Sequence, residues 1–170
     1  MNSKEGFTSV QGFTSIGGFN SVEGFNNGGS GLGPELQNNW DMSSGTAGWF
    51  TSGNASIAAV NDGGEDAVLI TQTGAAPSRA NLVATGIEIG KTYQVRFKVR
   101  CGANIDVQNV GVFTWGNNTQ TFLASSTYEF ITAEVTATSA NGNHVCNVAA
   151  SGGTIGDQIY VSEISVREIL

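Results

Sequence analysis

The chain has 170 residues and a formal charge of -7, from seven Lys and Arg against fourteen Asp and Glu. Only 12% of residues are charged, against about 25% in an average globular protein, and 24 are glycine, about twice the usual share. This is enough chain for one domain that buries roughly two-thirds of its unfolded surface. The composition favours turns and extended chain over helix, and it excludes sequence-independent nucleic-acid binding, which needs a cationic surface.

No run reaches the ~18 apolar residues of a membrane span, so no membrane insertion is expected. Residues 1–15 lack the basic start and apolar block of a secretory signal, which predicts folding in a cytoplasm. Cys101 and Cys146 do not make a disulfide framework, and two thiols with one histidine fall short of a structural zinc set. Free thiols are the simpler reading.

From the N-terminus the chain repeats itself: GFTSVQ, GFTSIG, GFNSVE and GFNN begin at Gly6, Gly12, Gly18 and Gly24. The apolar residues are Phe7, Val10, Phe13, Ile16, Phe19, Val22 and Phe25, a spacing of three that matches neither the helix nor the strand period. A lone helix or strand scatters them around itself. Three and a half hexads cannot close a core, so their burial requires something outside the arm, such as a threefold bundle of identical arms or a partner surface. Seven such side chains represent on the order of 10 to 20 kcal/mol of transfer free energy before ordering entropy is subtracted. The alternative is a flexible low-complexity tail. Residues 26–33, NNGGSGLG, read as a linker, and Pro34 marks the expected domain edge, giving an arm and linker over 1–33 and a domain over 34–170.

Beyond Pro34, short apolar-alternating runs follow one another between turn clusters, and the reading is all-β. The clearest strand is 92–101, with Tyr93, Val95, Phe97, Val99 and Cys101 on one face and Gln94, Arg96, Lys98 and Arg100 on the other. Further strands are expected at 56–60, 67–73, 81–87, 107–115, 119–124, 128–138, 144–150 and 158–169, nine in all, which makes a two-sheet antiparallel sandwich. In the last strand the apolar parity flips between Val161 and Ile164, predicting a bulge near Ser162 and Glu163. Phe130 faces opposite to Ile131, Ala133 and Val135, so two faces carry apolar atoms there.

The segments 41–49 (DMSSGTAGW), 67–73 (AVLITQT), 86–99 (GIEIGKTYQVRFKV) and 156–166 (GDQIYVSEISV) together resemble jelly-roll carbohydrate-binding modules that bind xylan, glucan and related polysaccharides. The resemblance covers about residues 38–170 and implies a jelly-roll sandwich behind an extended N-terminal repeat arm. Modules of this type also occur as non-catalytic domains of viral structural proteins. The chain departs from the pattern at Met42-Ser43, where the family has Phe-Glu, and at Ser162-Glu163, where it has paired acids that help hold a structural calcium. Asp41 and Glu163 are what remains for that ion, which prefers six to eight oxygen ligands. No cofactor is required by this reading.

In such modules, sugars stack on aromatic rings and bond to polar side chains. Phe113 and Trp115 share strand parity with Asn109, opposite to Val110 and Val112. With the valines in the core, Asn109, Phe113 and Trp115 form a candidate platform for a glycan or an interface; the competing reading is ordinary packing. Trp49 and Trp40 read as structural. The stripe Arg96, Lys98 and Arg100 is a candidate contact for an acidic partner subunit, the competing reading being a solvated face paired to Glu129 or Glu134.

No serine elbow, phosphate loop or metalloprotease motif occurs, and His144 with Cys146 on one strand face is weak ground for catalysis. The expectation is a non-enzymatic virion structural protein, a capsid decoration or short fibre. Its arm trimerises or binds a capsid or fibre protein, and its head is displayed at the virion surface. The alternatives are a carbohydrate-binding adhesin that recognises a surface glycan and an extracellular filament whose subunits exchange their arms.

Overall fold

The computed structural model describes residues 31–75, 78–102, 110–114, 118–122, 125–140, 142–147 and 154–170, with the backbone alone at 110–114, 118–122 and 142–147. The hexad residues Phe7, Val10, Phe13, Ile16, Phe19, Val22 and Phe25 lie outside the described residues, as do Asn109 and Trp115.

Eleven strands form among the described residues. They are β1 Leu32–Glu35, β2 Trp49–Gly53, β3 Ala55–Asp62, β4 Glu65–Gln72, β5 Ser78–Ala84, β6 Thr92–Cys101, β7 Val110–Thr114, β8 Asn118–Phe122, β9 Glu129–Thr136, β10 Gly142–Asn147 and β11 Gln158–Ile169. One sheet has the order β3-β4-β11-β6-β9, with β1 paired to the C-terminal end of β11; the other has the order β2-β5-β10-β7-β8. Every pairing is antiparallel, and the two sheets pack as a jelly-roll β-sandwich.

The two longest strands coincide with their expected bounds because their patterns are unbroken. On β6, Tyr93, Val95, Phe97, Val99 and Cys101 are all buried; on β11, so are Ile159, Val161, Ile164 and Val166. Tyr93 enters this core because its phenolic oxygen accepts the Glu88 N–H at 2.8 Å, so the polar end stays satisfied. The opposite sheet contributes Trp49, Ala80, Leu82 and Ala84.

The bulge falls where the parity flip puts it: Val161 pairs with Val99 but Glu163 pairs with Lys98, so Ser162 is the extra residue. Just beyond it, the Ile164 N–H donates to the Trp40 carbonyl at 2.8 Å, which fastens the long β1–β2 loop to the sheet. That loop holds itself through Asn39, whose Nδ2 donates to the carbonyls of Gly45 and Ala47 while its Oδ1 accepts the Ser44 N–H. Asn39 and Met42 have φ of 56° and 58°, a region a branched or bulky side chain rarely adopts. Met42 is buried in the core, in the position where the resembling family carries phenylalanine.

Two strands have no counterpart among the expected ones. The sheet takes in Leu32 and Gly33 from the segment read as linker, and β1 pairs to β11 on both sides of Pro34 with a register shift between, since proline has no N–H for the ladder. The carboxylate of Glu35 clasps β1 to β11 by accepting from the Val166 N–H at 2.8 Å and the Ser165 hydroxyl at 2.5 Å. The other, β2, is a five-residue strand that ends at Gly53 and leaves too short an alternation to read. In addition, β5 runs three residues earlier than 81–87, because Gly86 (φ 75°) turns the chain.

Replacing Phe97 by Ala removes a fully buried ring from the middle of β6. It should lower unfolding free energy by about 3 to 5 kcal/mol in urea titrations.

Candidate functional site

Of the expected platform, Phe113 alone lies on a described strand, and only its register is fixed. It pairs with Val145 of β10 and Thr119 of β8; Val145 pairs with Asn81 of β5, and Asn81 with Phe50 of β2. Phe50, Asn81, Val145, Phe113 and Thr119 therefore form one cross-strand row. The neighbouring row is Ser52, Arg79, Asn147, Gly111 and Thr121. Val112 lies in the row of Cys146 and Ala80, whose methyl is in the core.

On β2 and β5 the side chains show what these outward rows offer. Phe50 is 45% exposed, and Ser52 and Arg79 are open to solvent. Asn81 alternates with the core residues Ala80 and Leu82, so it faces outward, yet it is only 4% exposed. Its amide nitrogen sits 3.3 Å from Ser52 Oγ, which fixes the amide against its neighbours. The face thus presents an aromatic ring, a hydroxyl and a guanidinium within adjacent rows spaced by the strand pleat, with the buried Asn81 amide held against Ser52 between them. Rings cover apolar faces, and the polar groups bond hydroxyls. Phe50, Arg79 and Asn81 were not singled out from sequence; the inward Trp49 is the signal, since alternation then turns Phe50 outward.

The basic stripe lies on the outer face of the other sheet, and each cation there has an acid of its own chain. Arg100 makes a two-pronged contact with Asp62, Nε to Oδ2 and Nη2 to Oδ1, both 2.5 Å, with its guanidinium 3.7 Å over the Tyr160 ring. Lys98 meets Glu65 at 2.5 Å, and Arg96 meets Glu163 at 3.7 Å while stacking 3.7 Å over Phe130. The acids come from β3, β4 and β11, not from Glu129 or Glu134 of β9. Register explains the difference: Glu134 stands opposite Gln94 and Glu129 opposite Val99, while the β9 neighbours of Arg96 and Lys98 are Thr132 and Phe130. Phe130, 50% exposed and outward as its parity requires, is covered on one side by Arg96. Trp40, expected to be structural, is 41% exposed.

The residues left for calcium do not present its ligand set. Asp41 is exposed and accepts the Ser43 N–H and hydroxyl, bonds that hold its carboxyl below the usual range, and Glu163 is engaged with Arg96. No group of three His, Cys, Asp or Glu side chains suited to a metal occurs among the described residues. Cys101 is a buried free thiol whose pKa is pushed up by burial, which keeps it protonated.

The fold of this sandwich is that of the jelly-roll carbohydrate-binding modules. A CBM4 module is similar with a TM-score of 0.57 and 19% identity over 77% of this chain and 98% of that one. The CBM22-1 xylan-binding domain from Paenibacillus barcinonensis Xyn10C is similar with a TM-score of 0.55 and 11% identity over 83% and 96%. The enzymatically active domain of bacteriophage CBA120 tailspike protein 4 is similar with a TM-score of 0.55 and 10% identity over 79% of this chain, which spans 21% of that domain. No family model and no curated protein matches the sequence.

The hydrogen bond from Arg100 holds the Asp62 carboxyl below its ordinary pKa. A carboxylate depressed in the folded state adds stability that is fully present above its unfolded pKa of about 4 and is lost as pH falls through the folded value. Thermal melts of Asp62→Asn should therefore fall below wild type at pH 7 and converge with it as pH falls through the lowered folded value.

Proposed function

We propose that this chain is a non-catalytic carbohydrate-binding module that takes a neutral polysaccharide across the outer face of the β2-β5-β10-β7-β8 sheet. The reading is carried by the exposed Phe50 ring beside the fixed Asn81 amide, Ser52 and Arg79, on a sandwich shared with modules that include a xylan-binding domain. Neutral glycans are favoured because the chain is acidic overall. The candidate groups on this face extend to Phe113 through its row and to Asn109 and Trp115 through their strand parity.

Affinity electrophoresis in gels cast with xylan, mixed-linkage glucan or galactomannan tests it. At least one polymer should retard the wild type, and Phe50→Ala should weaken retardation about tenfold, the equivalent of ~1.4 kcal/mol. Unchanged mobility in every polymer would remove the reading.

A second reading rests on the hexads. We propose that Phe7, Val10, Phe13, Ile16, Phe19, Val22 and Phe25 assemble the protein, as a homotrimer or onto a capsid or fibre protein, so that the module is displayed on a virion. The support is a large hydrophobe at every third position and a fold shared with a tailspike domain. Light scattering of the full chain should show a multimer, and Phe13→Ser with Phe19→Ser should reduce it to monomer; equal masses would count against assembly through the arm.

A further inference from the structure

At one end of its sheet, β3 pairs with β4 alone among the described residues. Which of its backbone groups are free follows from the ladder. The Thr73 N–H donates to the Asn54 carbonyl, and Asp62 and Glu65 close a two-residue turn in which Gly63 and Gly64 have φ of 66° and 100°. Alternation from either landmark gives the same result: Ser56, Ala58, Val60 and Asp62 bond to β4, while Ala55, Ile57, Ala59 and Asn61 turn their N–H and C=O groups away from the sheet. Natural edges are guarded by lysine, proline or a bulge. Residues 55–61, ASIAAVN, carry none of these and no charge.

A pocket of about 250 Å³ adjoins this edge, lined by Met42, Gly45, Ala59, Val60, Asp66 and Ala67 among others. Free main-chain groups beside a partly apolar pocket are what strand addition uses: the backbone supplies affinity and the pocket takes alternate side chains.

The hexad arm has the matching form. Six is an even number, so an extended strand places Phe7, Phe13, Phe19 and Phe25 on one face and Val10, Ile16 and Val22 on the other. Alone, such a strand wets both rows; added to a sandwich edge, one row continues the core side and the other the outer side. Over residues 6–25 the only charge is Glu23, so no like-charge repulsion opposes the pairing. Direction decides which copy supplies the strand. Leu32 pairs with Ile169 and Glu35 with Arg167, while β4 pairs with the other end of β11, so β1 runs toward β4 and its first residue is the end farther from β3.

We propose that the β3 edge receives one hexad-length stretch from residues 6–25 of a second copy of this chain as an added strand, with a phenylalanine of the arm entering the adjoining pocket. The proposal rests on the reading of the arm as an assembly element and names its receiving surface.

Amide exchange and light scattering of the full chain test it, with Ala59→Pro as the blocking variant, because that change deletes an outward N–H and no bond to β4. The Ile57 and Ala59 amides should exchange at least tenfold more slowly in the wild-type multimer than in the Phe13→Ser, Phe19→Ser chain. Ala59→Pro should be monomeric with a cooperative melt. Equal exchange in wild type and arm variant overturns the proposal, and that comparison stands if Ala59→Pro does not fold. Slow exchange in a wild type that stays monomeric puts the chain's own arm on the edge and overturns the second copy as donor. A folded Ala59→Pro of wild-type mass beside a monomeric arm variant overturns the edge alone; an arm variant of wild-type mass overturns both edge and assembly reading.

Discussion

Burial of one face of β6 against the facing sheet, with β11 hydrogen-bonded alongside, is the constraint from which the rest of the molecule follows. Tyr93, Val95, Phe97 and Val99 on one strand and Ile159, Val161, Ile164 and Val166 on the next are buried, and each alternation sends the intervening residue outward. At about 1.5 to 3 kcal/mol for each fully buried large side chain, a slip of one residue would expose the entire set, so the register has no competitor. The bulge at Ser162 fits the same rule, since it lets β11 change parity without withdrawing Ile164 and Val166 from the core.

With the inner faces committed, the two outer faces diverge in chemistry. Along β6, Arg96, Lys98 and Arg100 emerge beside acids of β3, β4 and β11 and are neutralised within the chain, with Phe130 and Tyr160 stacked against the guanidinium groups. Few charges on that face remain for an external ligand. The opposite face carries Phe50, Ser52, Asn81 and Arg79, and there the ring is open and the amide is held in place. The contrast is why recognition is proposed on the second sheet, while the cations of the basic stripe are paired within the chain.

The edges of the sandwich pose a separate problem. A barrel would remove them, but this architecture ends at β3 with four residues whose main-chain groups lack a described partner, and the same chain carries a repetitive apolar arm that cannot bury itself. The two features complement each other in neutrality and in hydrogen-bonding capacity.

Local alternation made much of this legible from the residues. The bounds of β6 and β11, the displaced parity at Ser162 and the outward Phe130 all follow from the pleat, which is a property of a few consecutive residues. Strand β1 was not legible, because Gly33-Pro34 has no strand pattern and its pairing is made by residues of β11 more than 130 positions away. The acids opposite the basic stripe were assigned to the wrong strand for a related reason: which carboxylate meets Arg100 depends on the register of β3, β4 and β11 beside β6. Phe50 and Asn81 acquired their place in one row only when β2 and β5 paired. The sequence by itself determined which residues turn inward, because alternation is set along the chain; only the tertiary structure decided what each outward residue stands beside, because that is set by pairing between distant segments.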